Sequence, residues 1–156
     1  MRIGIVSDTH RMEKFMNKAI PHLKECDLII HAGDNFLDSK YIHKMTNTDT
    51  IAVKGNCDFE DVEDEIAFEV EGKTIFVCHG DKYGVKYGIE QLEQRAKSIG
   101  ADIVIFGHTH IPLCIEIDNI IYLNPGSLSL PRESSSRRFI IIDLQNNMIN
   151  LEEVII

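Results

Sequence analysis

Seven side chains able to bind a divalent cation stand behind apolar runs in this sequence. The densest group is Phe106-Gly107-His108-Thr109-His110, which follows Ile103-Val104-Ile105. Two histidines two residues apart at a strand's end project to the same side of the backbone. Gly107 lets the chain turn tightly there and lets another group approach. Imidazoles gathered in this way suit a divalent metal, and a metal needs opposing ligands. Asp8 and His10 follow Ile3-Gly4-Ile5-Val6, and Asp34 follows Leu28-Ile29-Ile30. Asn56 comes after the run from Thr50 to Lys54, and His79 after the run from Lys73 to Cys78. One tetrahedral ion rarely takes more than four protein ligands. Two carboxylates, one amide oxygen and four imidazoles are enough for two ions, at roughly 3.5–4 Å, if a carboxylate bridges them. With no thiolate required, the set suits Mn, Fe, Zn or Ni better than a zinc finger or an oxygen-only calcium cage.

Each residue also has an ordinary use. Asp8 would serve as the N-cap of a following helix, and Asp34 as a turn former. Asn56 tolerates a left-handed backbone. The joint pattern carries the metal reading, because chance does not place every such residue behind an apolar strand. His22 and His43 fall in helical stretches and read as surface or core residues. His31 ends a strand three residues before Asp34, where a supporting role and a plain core role are equally open.

The elements that would position these residues can be read from periodicity. The short run Ile3 to Val6 and the run Leu28 to Ile30 read as buried strands, and Thr50 to Lys54 as a third. Between the first two, Met12, Phe15, Met16, Ala19, Ile20 and Leu23 share one helical face. Pro21 predicts an end or kink of that helix near Ile20. A weaker helical stretch covers about Ser39 to Thr46. This β-α-β-α-β order implies parallel strands with right-handed crossovers.

Residues 65–70 and 73–78 flank Glu71-Gly72 as a hairpin. Ile89, Leu92, Ala96 and Ile99 mark a helix that Gly100 stops, and Asp102 to Phe106 is the next strand. Two arms surround Asp118-Asn119, and a final hairpin (137–144 and 148–155) turns at Gln145-Asn146-Asn147. About ten strands and three helices predict an α/β chain with two mixed β-sheets packed face to face and helices outside. No repeat, low-complexity linker or composition shift marks a second domain, so residues 1–156 read as one domain. In open α/β sheets, ligands bind outside the carboxyl ends of the strands, and parallel strands would bring these ends to one rim.

A chain of 156 residues buries roughly 68–70% of its unfolded surface and needs no disulfides. Its net charge of −9 argues against an extended nucleic-acid surface or an anionic membrane surface. A phosphate-bearing substrate remains compatible, because bound cations reverse the local sign. Cys26, Cys57, Cys78 and Cys114 form no CxxC pair and read as free thiols in a reducing cytosol. The N-terminal apolar run is too short for a signal peptide, and no run approaches a membrane span. These features predict a cytoplasmic protein.

The blocks Asp8-Thr9-His10, Gly33-Asp34, Gly55-Asn56-Cys57-Asp58, His79-Gly80 and Gly107-His108-Thr109-His110 occur in this order. They resemble the D-x-H, G-D, G-N-x-D, H-G and G-H-x-H blocks of the calcineurin-like metallophosphoesterase superfamily. Cys57, the small size, Asn124-Pro125-Gly126-Ser127 and Pro131-Arg132 resemble its short prokaryotic phosphodiesterase branch. The resemblance implies an α/β/β/α sandwich. It also implies one metal on Asp8, His10 and His110 and a second on Asn56, His79 and His108, with Asp34 bridging.

The chemistry expected is metal-dependent hydrolysis of a small phosphoester, most simply a phosphodiester. Two divalent ions, with manganese the first choice, would supply a bridging hydroxide for in-line attack on phosphorus and clamp the phosphoryl oxygens. Asn56 is expected in this catalytic group, and Asp58 behind it, orienting a ligand or a backbone group. Arg132 suits bidentate oxyanion binding, and equally reads as a solvated loop arginine. Larger members of the superfamily carry a histidine where Cys57 stands. A thiol is a poor acid at that step, which predicts a preference for good leaving groups. Asp81 is a further departure, since histidine is frequent there in the branch.

Two other readings stand beside this one. The retromer scaffold subunit resembles the same fold with eroded metal ligands, so a metal-binding interaction scaffold is the alternative. A two-metal amidase is the second. The arms around Asp118-Asn119 and the last hairpin would also allow chains to pair as a homo-oligomer.

Overall fold

The computed structural model describes residues 1–156. Alternation along the first strand sets its layering. In β1 (Arg2–Val6), Ile3 and Ile5 are fully buried on one face and Val6 on the other. Chain order continues with α1 (Glu13–Leu23), β2 (Leu28–His31), α2 (Leu37–Thr46) and β3 (Asp49–Ala52). The hairpin β4 (Glu65–Val70) and β5 (Lys73–Cys78) is followed by two short 3-10 turns, 81–83 and 85–87, and then α3 (Glu90–Ile99). The chain ends with β6 (Ile103–Ile105), β7 (Leu113–Ile117), β8 (Ile120–Asn124), β9 (Arg138–Gln145) and β10 (Met148–Ile155).

These strands form two five-stranded sheets, ordered β10-β9-β1-β2-β3 and β4-β5-β6-β8-β7. The strands β1, β2 and β3 are parallel, as are β5, β6 and β8, while the outer hairpin strands run antiparallel. Ile3, Ile5 and Ile30 meet Ile75, Val77, Ile103 and Ile105 between the sheets. Val6, Ile29 and Ile141 pack outward under Met16, Ala19, Leu23 and Ile42 of the first two helices. Phe76, Val104 and Tyr122 do the same under Leu92 and Ala96 of α3. The layers are therefore α/β/β/α, as expected. Strands buried on both faces read as continuous apolar runs, because each buried aliphatic side chain is worth about 1.5–3 kcal/mol. No helix is long and apolar enough to cross a membrane.

Four expectations are corrected. Pro21 does not end α1, which continues to Leu23. Pro21 and Asn17 are exposed, so the carbonyl left without its helical donor faces water, and fully buried Leu23 anchors the last turn. Strand β3 stops at Ala52, because Lys54 leaves the ladder to donate its N–H to the Glu63 carbonyl. Helix α2 starts at Leu37, two residues before the expected Ser39. The last hairpin turns on Asn146-Asn147 alone. Both have positive φ (52° and 59°), and Gln145 stays paired with Met148.

Candidate metal centre

The expected residues converge where β1, β2, β5 and β6 end. His110 Nε2 lies 3.1 Å from Asp8 Oδ1 and 3.3 Å from His10 Nε2. His79 Nε2 lies 3.3 Å from Asp34 Oδ1 and 3.9 Å from Asp8 Oδ1. His10 Nε2 stands 3.9 Å from both Asp8 Oδ1 and Asp34 Oδ2. One ligand atom from each of Asp8, His10, Asp34 and His110 falls within 4.8 Å of the others. Asp34 thus sits between His10 on one side and His79 on the other. The His108 and His79 rings are neighbours, with centroids 5.0 Å apart. No hydrogen bond joins Asn56 to this group. Its amide donates to Cys57 Sγ, and the Cys57 backbone N–H donates to Asp34 Oδ1 at 3.0 Å.

The arrangement fits divalent cations on the chemistry of its own atoms. Asp8 Oδ1 and His79 Nε2 are buried and have no hydrogen-bond partner. Burying such groups unpaired is costly, whereas a cation would satisfy both. The opposite atoms are committed. Asp8 Oδ2 accepts from the Ser7 hydroxyl at 2.6 Å and from the His108 N–H at 3.1 Å. Nδ1 of His79 donates to the Ala32 carbonyl at 2.8 Å, and Nδ1 of His110 to the Leu130 carbonyl at 2.6 Å. Those bonds aim both Nε2 atoms into the cluster, as carbonyl partners do for metal-binding histidines.

The backbone is bent to achieve this. Asp8, His10, Asp34, His108 and His110 all have positive φ, between 47° and 69°. Each such residue costs about 1–3 kcal/mol and persists only where its surroundings impose it. The Ser127 and Ser129 hydroxyls both donate to the Asp8 carbonyl, at 2.7 and 2.8 Å. The Asn124 amide donates to the Gly107 carbonyl at 2.9 Å and to Thr109 Oγ1 at 3.0 Å. A Cβ on Gly107 would lie 2.0 Å from Ser7 Oγ and 2.7 Å from Asp8 Oδ2, so the close approach expected of this glycine is real.

Charges in the cluster shift one another. Burial alone would raise the Asp8 carboxyl, but His110, His79 and the Ser7 hydroxyl outweigh it and hold it below its ordinary value. Asp34 is likewise held down, against burial, by His79 and the Cys57 N–H. Burial would lower His79, yet the Asp34 carboxylate, 3.3 Å from its Nε2, and the charge of Asp8 push it up to about 9. Below that pH the metal-free protein keeps a proton on His79, which a cation bound at its Nε2 would displace. Manganese binding at pH 7.5 is therefore expected to release about one proton per chain from His79. Affinity should rise with pH up to about 9. Calorimetry in buffers of different ionisation enthalpy measures this, and binding without proton release would contradict it.

The model of the calcineurin-like phosphoesterase superfamily domain matches residues 1–147. The chain belongs to this superfamily. It is 36% identical over 149 residues to a probable metallophosphoesterase of Bacillus subtilis, YsnB, covering 94% of this chain and 86% of the relative. It is 32% identical over 145 residues to the phosphodiesterase MJ0936 of Methanocaldococcus jannaschii, covering 81% and 83%. Vps29 of Entamoeba histolytica, solved with zinc, shares the fold with a TM-score of 0.78 over 99% of both chains, at 17% identity.

Around this centre stand supporting residues, of which Asp38 is the one the sequence did not single out. His31 is fully buried, and burial lowers its pKa. Its Nδ1 accepts from the Gly33 N–H at 3.2 Å and its Nε2 donates to Thr9 Oγ1 at 2.9 Å. That hydroxyl donates to Asp38 Oδ2 at 2.5 Å, which also accepts the Arg11 N–H at 2.8 Å. The chain of bonds pins the strained turn from Asp8 to Arg11, so His31 supports the site and is more than a core residue. Asp58 ties two loops together, taking the Gly55 N–H at 2.7 Å and the Phe36 N–H at 2.8 Å. Burial and the Asp34 carboxylate push the exposed Cys57 thiol up to about 11, so it holds its proton at neutral pH. Arg132 is exposed at the rim, with its N–H on the His110 carbonyl at 3.3 Å.

Proposed function

We propose that this chain is a phosphodiesterase that uses two divalent cations, with manganese the first choice. The carrying observation is the pair of orphaned buried atoms, Asp8 Oδ1 and His79 Nε2, facing Asp34, His10 and His110. In this reading Asp8, His10 and His110 hold one cation and Asn56, His79 and His108 the other, with Asp34 shared. The cations would supply a hydroxide at neutral pH and neutralise phosphoryl charge during in-line attack. Asp58 keeps the loop of Asn56 against the loop of Asp34. Arg132 contributes to substrate binding at the rim through its fork of N–H donors. His79 and His110 remain oriented throughout by their carbonyl partners.

Nothing in the site offers the leaving group a good proton donor, because Cys57 stands where an acid would help and its thiol is pushed up to about 11. General acids contribute about a hundredfold or more, so aryl phosphodiesters should outpace alkyl ones by about that factor. The deciding experiment assays aryl and alkyl phosphodiesters, a phosphomonoester and an amide in parallel with manganese. The expected result is manganese-dependent turnover of the aryl diester, with no amide turnover. Cation binding without any hydrolysis would instead favour an interaction scaffold built on this fold.

A further inference from the structure

Beyond the metal ligands lies a cleft of about 260 Å3 lined by Lys86, Thr109, Ile111, Arg132 and Glu133. Thr109 and Ile111 flank His110 in the chain, and the His110 carbonyl accepts the Arg132 N–H at 3.3 Å, so the cleft adjoins the backbone of His110. Two cations from distant parts of the chain meet here, on a protein whose net charge is −9. Neither side chain is among those that pair with carboxylates, which are Arg2, Lys82, Arg95, Lys97 and Arg138 of the sixteen Lys and Arg residues. Glu133 is the cleft's own carboxylate, and it leaves an excess of one positive charge.

Both cations spring from pinned backbone. Lys86 sits in the 3-10 turn 85–87, between Gly84 and Gly88, whose φ values are 61° and 132°. Buried Val85 anchors that turn, and the Gly80 carbonyl accepts the Val85 N–H at 3.4 Å. The Arg132 N–H is held by His110, and the Arg132 carbonyl accepts both the N–H and the hydroxyl of Ser135, at 3.0 and 2.6 Å.

We infer that Lys86 and Arg132 form a second anion subsite, selecting phosphodiesters that carry a further phosphate or carboxylate on one ester arm. This rests on the phosphodiesterase reading and names its substrate class. A neutral arm would leave the cleft's excess positive charge unanswered, and a single phosphoryl group held among the metal ligands would not fill it. Partly exposed ion pairs give modest, salt-sensitive gains, so the preference should be about fivefold at low ionic strength and smaller at high salt.

The test uses thymidine 5′-(4-nitrophenyl phosphate) with and without a 3′-phosphate, on the manganese-loaded protein. The expected result is a KM about fivefold lower for the 3′-phosphorylated probe. Lys86→Ala and Arg132→Ala should each reduce that preference to below about twofold, and Lys86→Arg should restore it. Equal KM values for the two probes, or a preference that survives Lys86→Ala, would overturn the subsite. Calorimetric binding of thymidine 3′,5′-bisphosphate against thymidine 5′-monophosphate reads the same ratio without turnover. If neither ester is hydrolysed, the phosphodiesterase reading fails, and the binding ratio still decides the subsite.

Discussion

Asp34→Asn is expected to lower manganese-dependent phosphodiester hydrolysis by about a thousandfold. Asp34 is the carboxylate with His79 at 3.3 Å on one side and His10 at 3.9 Å on the other. The amide has the same shape, so packing is kept while one unit of negative charge is lost between the two proposed cation positions. Several kcal/mol of charge stabilisation then disappear from the reacting state, and each 1.36 kcal/mol is about tenfold in rate. The loss should fall on kcat at saturating metal, and manganese affinity should fall as well. His79 would also lose the partner that keeps its pKa high, so the variant should release fewer protons on binding manganese at pH 7.5. Kinetics at several manganese concentrations, beside calorimetry, measure both effects. A variant with wild-type kcat would remove Asp34 from the centre.

Gly55→Ala is expected to cost about a hundredfold in rate. A Cβ there would lie 2.2 Å from Asp34 Oδ1, 2.6 Å from the Asp34 backbone nitrogen and 2.8 Å from His79 Cδ2. None of these can yield cheaply, because one is main chain and the imidazole is fixed by the Ala32 carbonyl. The added methyl must push Asp34 or His79 off position, and overpacking of this kind costs about 1–3 kcal/mol of stability. Gly72→Ala is the control. No atom lies within 4 Å of its Cβ, so it carries only the strain of a φ of 71° in an exposed turn. Thermal melts with activity assays distinguish the two. Full activity in Gly55→Ala would show that this close approach does not position the centre.

The layering was legible because burial on both faces leaves a mark that survives in one dimension. Ile3-Gly4-Ile5-Val6 and Ile75-Phe76-Val77-Cys78 are unbroken apolar runs for that reason. The polar residues that gather at the strand ends were legible because they follow such runs within a few residues. What escaped depends on contacts between distant residues. Asp38 stands just ahead of the expected helix and belongs to no motif, and acquires its use only when α2 brings it to Thr9 and Arg11. Ser127 and Ser129 reach a carbonyl 119 and 121 residues away, which no local pattern announces. Lys86 lies in a 3-10 turn with no hydrophobic period to position it. Pro21 misled because propensity says that proline breaks helices, while its cost falls away where the orphaned carbonyl meets water.

The most direct measurement is anomalous scattering from crystals grown with manganese. Two peaks are expected, roughly 3.5–4 Å apart. One should lie against Asp8, His10 and His110 and the other against Asn56, His79 and His108, with Asp34 touching both. A single peak, or none among these residues, would contradict the two-cation centre.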